Sequence, residues 1–76
     1  MRVYVNSTGL DVPDGSTVLE AVRAWNPTAA DEVATGNRMI ADSRGIETSP
    51  EAIAYAGAIF RVLTARRRRD GDEPND

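Results

Sequence analysis

Every basic side chain in this 76-residue sequence is an arginine, nine in all, and there is no lysine, histidine or cysteine. Four of them, Arg66, Arg67, Arg68 and Arg69, form one run directly before the acids Asp70, Asp72, Glu73 and Asp76. Guanidinium groups grip carboxylates and phosphates through a planar fork of donors, so such a run can act as a docking segment. Alternatively, it is a solvated, self-neutralising tail. A second chemistry-bearing stretch is Asp42-Ser43-Arg44-Gly45, where Arg44 and the turn amides can hold an oxyanion; a plain polar turn is the competing reading. Trp25 offers either a stacking platform or a cap on the core. Enzymatic logic fails. Without His, Lys or Cys the common general bases and nucleophiles are missing, and the carboxylate pairs Asp31-Glu32 and Asp42 with Glu47 fall in stretches with no pocket to shift their pKa values. The expectation is a non-enzymatic protein with no catalytic residues, no metal site and no cofactor.

Charge narrows the partners. Residues 1–65 carry five arginines against eight acids, and the last eleven residues balance. Nucleic-acid binding needs a broad basic face, which this pattern does not supply. No run of about eighteen apolar residues marks a membrane span, and no basic-then-apolar leader marks a signal peptide. The expected setting is the cytoplasm. Zero cysteines exclude disulfides.

The elements that must position these residues begin with a strand at Arg2–Asn6. Val3 and Val5 alternate with Arg2, Tyr4 and Asn6, the period of a half-buried strand. Asn6-Ser7-Thr8-Gly9 reads as a turn in which Gly9 takes positive φ. Leu10 and Val12 resume the alternation until Pro13-Asp14-Gly15 breaks it. Thr17 and Glu20 form a capping box for a helix from Val18 to Trp25, whose Val18, Leu19, Val22 and Trp25 line one apolar stripe. Asn26-Pro27 ends it, and residues 29–34 can add a turn or two of helix capped by Thr28. Arg38–Ala41 reads as a short strand, Ile46-Glu47-Thr48 as a short edge strand, and Ser49-Pro50-Glu51 as the start of one helical turn. Ala58–Leu63 is the strongest strand of the second half. From Arg66 onward no apolar residue remains, so disorder is expected there. The predicted organisation is one domain over residues 1–65 and a charged tail over 66–76.

A hairpin, then a helix that crosses one face, brings the final strand back parallel to the first by the right-handed crossover preference. The predicted fold class is α+β: a β-grasp, or ubiquitin-like, mixed sheet of about four strands with one main helix packed on one face. An irregular two-layer α+β sandwich with another strand order is the competitor. If Val3, Val5, Phe60 and Val62 face the helix, then Tyr4, Ile59, Arg61 and Leu63 face the other way, joined by Met39 and Ala41. Tyrosine, methionine and arginine are enriched at interfaces, so this uncovered face is a candidate partner-binding patch. The bland alternative is ordinary exposed apolar surface.

Val3, Val5 and Asn6, then Val12, Gly15, Thr17, Val18, Ala21 and Val22, resemble the opening of small sulfur carriers of the ThiS/MoaD type. Tyr55-Ala56-Gly57-Ala58-Ile59-Phe60-Arg61-Val62 is similar to that family's closing turn and last strand, with Ala58 replacing the usual acid. The resemblance implies a β-grasp fold and a larger protein partner, an adenylating enzyme or a biosynthetic enzyme. Family carriers end in Gly-Gly, whose carboxylate is adenylated and then thiolated, and this sequence instead ends Glu73-Pro74-Asn75-Asp76. Three functional expectations follow. The first is docking onto a larger protein through Tyr4, Ile59, Arg61 and Leu63 with Arg66–Arg69. The second is sulfur carriage or conjugation after trimming to Gly71. The third is small-ligand binding at Asp42–Gly45.

Overall fold

The computed structural model describes residues 1–64. The arginine run Arg66–Arg69, Gly71 and the boundary drawn at residue 65 lie outside the described residues.

Four strands form one mixed sheet: β1 (Arg2–Val5), β2 (Thr8–Asp11), β3 (Arg38–Asp42) and β4 (Ile59–Thr64). Their spatial order is β2-β1-β4-β3. β1 pairs antiparallel with β2 and parallel with β4, as the crossover preference requires; β4 pairs antiparallel with β3. Helices α1 (Val18–Trp25) and α2 (Pro27–Ala34) are eight residues each. α1 lies against β1 and β2, and α2 against β3. The core between the layers is made of small β-branched and alanine side chains, among them Val3, Val5, Val18, Val22 and Ile40, with Phe60 as its largest member. Leu19 and Trp25 pack on its margin, so the indole is a core cap.

The first hairpin corrects the predicted turn. Val5 pairs with Thr8, leaving Asn6 and Ser7 as a two-residue loop with φ of 49° and 69°. Positive φ at both positions is the mark of a type I′ turn, whose twist matches the flanking strands. Gly9 is therefore a strand residue opposite Tyr4. Its missing side chain admits close neighbours: a Cβ there would stand 2.8 Å from Arg2 Nη1 and 3.2 Å from Tyr4 Cε2. Positive φ falls instead on Gly15 (88°), in a turn closed by the Ser16 N–H donating to Pro13 O. That is the position where a type II turn calls for glycine.

The capping box of α1 forms as expected: the Glu20 N–H donates to Thr17 Oγ1, and the Thr17 N–H donates to Glu20 Oε1. Residues 49–54 complete the cap. At Pro50 a single hydrogen-bonded turn forms and does not extend into a helix, the Ala52 N–H donating to Ser49 O at 3.1 Å; it places the segment across the helix start, with Thr17 bridging Ile53. The Val18 N–H donates to Ala52 O at 2.8 Å and the Leu19 N–H to Pro50 O at 2.9 Å. The first-turn donors that a helix cannot satisfy internally are thus taken by the chain itself. α2 starts earlier than predicted because Asn26, not Thr28, caps it, its Oδ1 accepting from Thr28 and Ala29 N–H groups. Ile46–Thr48 contributes a single bridge, Glu47 to Ala41, rather than a strand.

Candidate functional site

Both helices cover one face of the sheet, and strand alternation decides what the other face shows. In β4, Phe60 and Val62 are buried while Ile59, Arg61 and Leu63 are exposed. Directly paired residues share a face, so Tyr4 joins Ile59, and Met39 joins Leu63. Tyr4 is 38% exposed, Ile59 47% and Leu63 38%. The structure therefore brings Tyr4, Ile59, Arg61 and Leu63 together on one uncovered surface with half-buried Met39 beside them. Ala41 does not contribute. It sits on the same face, between Arg61 and Glu47, but is only 1% exposed, and its methyl offers a partner nothing.

Arg61 stands apart from the other described arginines. Arg2 pairs with Asp11, Arg23 with Asp31, Arg38 with Glu32 and Arg44 with Asp42, at 2.9–3.3 Å. Among the described residues Arg61 has no such carboxylate. A guanidinium on the same face as Tyr4, Ile59 and Leu63 combines apolar contact area with a charge that no described carboxylate takes up. That combination is common among residues that dominate binding energy.

The Asp42–Gly45 loop is organised around its own carboxylate. Asp42 Oδ1 accepts from the Arg44 and Ile46 N–H groups at 2.8 and 3.0 Å, and Arg44 Nη2 donates to Asp42 Oδ2 at 3.1 Å. The donors foreseen for an external oxyanion are turned inward. The Ile46 amide, assisted by the Arg44 amide and guanidinium against a partial loss of hydration, holds the Asp42 pKa below its ordinary 3.8. A depressed folded-state pKa stabilises the fold above the ordinary value, and that contribution is lost as pH falls through the folded one. Wild-type protein should therefore lose stability more steeply than Asp42→Asn as pH falls below 3.8. Equal slopes in acid titrations followed by circular dichroism would remove Asp42 from that role.

Sequence reasoning missed one residue of the site region in structural terms. The sequence places Asn6 at the outward end of the first strand, in its turn and in a resemblance, without a partner. In the structure its Oδ1 accepts from the Val62 N–H at 3.0 Å while its own N–H donates to Phe60 O. Asn6 thereby continues the β1–β4 ladder past the end of β1. A contact across 56 positions in sequence leaves no local signal. Ile53 and Tyr55 are also widely exposed, on the segment that caps α1 and returns to β4.

No described helix is long and apolar enough to cross a membrane. Comparison with known proteins returns no family model that matches the chain, and no curated protein or solved structure with significant similarity to it.

Proposed function

We propose that the chain is a non-enzymatic β-grasp module, similar in design to ThiS/MoaD-type sulfur carriers, which docks onto a larger protein through the open face of its sheet. The strand order β2-β1-β4-β3, with a parallel central pair and both helices on one side, supports the β-grasp reading. The observation that carries the docking reading is the surface itself. Three large apolar side chains and the one described arginine without an ion-pair partner share the face that no helix covers. Apolar anchors around a guanidinium are the kind of cluster that concentrates binding energy.

The test is affinity purification with the full 76-residue chain as bait, comparing wild type with Ile59→Asp, Leu63→Asp and Ile53→Asp. The first two place a carboxylate in the patch; the third places one on an exposed position elsewhere. Wild type and Ile53→Asp should retain the same partner. Ile59→Asp and Leu63→Asp should each lower affinity at least about tenfold with unchanged far-UV circular dichroism. Retention by all four proteins would refute docking through this face. Intact mass measured on the same material reads the tail, and a dominant species ending at Gly71 would move the reading to a trimmed carrier or modifier.

A further inference from the structure

At one end of the open face the β1–β2 turn, the turn after β3 and the start of β4 meet around a depression of 550 Å³. Asn6, Ser7, Ser43 and Arg61 line it together with Ile59 and Phe60. Its polar groups share one property. The Arg61 guanidinium has no carboxylate partner among the described residues, whereas the other four described arginines each have one. The hydroxyls of Ser7 and Ser43 make no hydrogen bond to another described residue. Asn6 uses its Oδ1 on Val62, and its Nδ2 donors have no acceptor among the described residues. Donor-bearing residues from three separate elements thus line one recess, with no acceptor among the described residues taking them.

Ser7 adds an independent sign. It occupies the second position of a type I′ turn at φ 69°, where glycine is strongly preferred because a Cβ is strained in that region. Backbone strain retained at a recess is a recognised companion of binding function. Keeping a serine there sacrifices stability and retains a hydroxyl on a residue that lines the recess with Arg61.

We infer that this depression binds a single carboxylate presented by the docking partner, an inference that rests on the docking reading above. A guanidinium fork matches the planar, two-oxygen geometry of a carboxylate and binds it through two parallel N–H···O bonds. Two serine hydroxyls and an amide NH₂ supply neutral donors for the remaining lone pairs. One cation suits a monoanion. A phosphate dianion would meet one positive charge on a domain whose residues 1–65 carry eight acids against five arginines. The partner segment on this face is accordingly an apolar stretch bearing an aspartate, a glutamate or a terminal carboxylate, with its acid seated at Arg61.

The test uses the full chain, with acetate and inorganic phosphate as separate probes at constant ionic strength set by chloride. Proton–nitrogen NMR follows the Asn6 side-chain NH₂, the Ser7 and Ser43 amides and the Arg61 Nε–H. Acetate should shift these signals saturably, with a dissociation constant in the millimolar range expected for one small ion. Arg61→Gln, which keeps a polar stem without the charge, should weaken acetate by about fivefold or more. Ser7→Gly should raise the thermal midpoint and weaken acetate at the same time, a pairing that a purely structural serine would not produce. Non-saturating shifts, unchanged binding in Arg61→Gln, or tighter binding of phosphate than acetate would overturn the assignment. Partner capture separates this inference from its premise. Capture kept by Arg61→Gln but lost by Leu63→Asp overturns the carboxylate site and leaves docking standing, whereas capture kept by both overturns docking itself.

Discussion

Phe60→Ala should remove a large share of the protein's folding stability at 25 °C. Phe60 is the only phenylalanine of the chain, is 3% exposed, and sits in β4 between Val5 of β1 and Asp42 of β3. Its buried neighbours are valines, alanines and one isoleucine. Short branched side chains held on paired strands cannot move in to fill a ring-sized hole, so the cavity term stays close to its full value. Truncating a buried phenylalanine costs about 3–5 kcal/mol. A domain of this length has roughly 3–10 kcal/mol to lose. Phe60→Leu, which restores most of the volume, should cost only about 1–2 kcal/mol. Urea unfolding followed by far-UV circular dichroism measures both. A loss under about 1 kcal/mol for the alanine variant would mean that the ring does not fill the space between sheet and helices.

Asn6→Ala is the second large effect, about 2 kcal/mol, and it has two separable parts. About 1 kcal/mol is the hydrogen bond from the Val62 N–H, which has no other acceptor where β1 has ended. About another 1 kcal/mol is the cost of holding an alanine at φ 49°, a region that asparagine tolerates better than most residues. Asn6→Gly relieves the backbone and loses the acceptor, so it should fall near the midpoint. Asn6→Asp keeps both an acceptor and the tolerance, so it should fall within about 0.5 kcal/mol of wild type. The ordering Asp, Gly, Ala is the discriminating result in denaturant titrations. If Gly and Ala are equally damaging, the turn carries no strain; if Gly matches wild type, the bond to Val62 contributes nothing.

The two positions differ in how far their roles can be read from the chain alone. Phe60 is legible because alternation across Ile59–Leu63 marks it as inward, and one inward residue sets the phase of all the others. The same alternation places Ile59, Arg61 and Leu63 on the opposite side, and the alternation of Arg2–Asn6 places Tyr4 there too. The α1 cap is legible for a similar reason, since Thr17 and Glu20 satisfy each other within a single turn. Asn6 and the segment 49–54 are not legible. Asn6 serves a strand 56 positions away, and Pro50 and Ala52 offer backbone carbonyls to Val18 and Leu19, groups that every residue type possesses. The hairpin turn differs from the one the sequence predicts, in which Gly9 takes the positive φ. Cross-strand packing instead put Gly9 opposite the Tyr4 ring and left positive φ to Asn6 and Ser7.

The sequence by itself determined the local period, the helix start, the inward and outward sets of each strand, and the lack of His, Lys and Cys for the commonest catalytic roles. Each of these depends on residues within a few positions of one another, or on composition alone, so neighbouring side chains are enough to specify it. Only the tertiary structure decided which exposed groups stand together and which are already engaged. Arg44 and Arg61 look alike in the chain, yet one closes on Asp42 and the other faces a recess with Asn6, Ser7 and Ser43. Arg44 meets its acid two positions away within one turn, whereas what surrounds Arg61 is set by the long-range packing that brings β1, β3 and β4 together. Sequence spacing carries no distance between elements that meet only when the sheet closes.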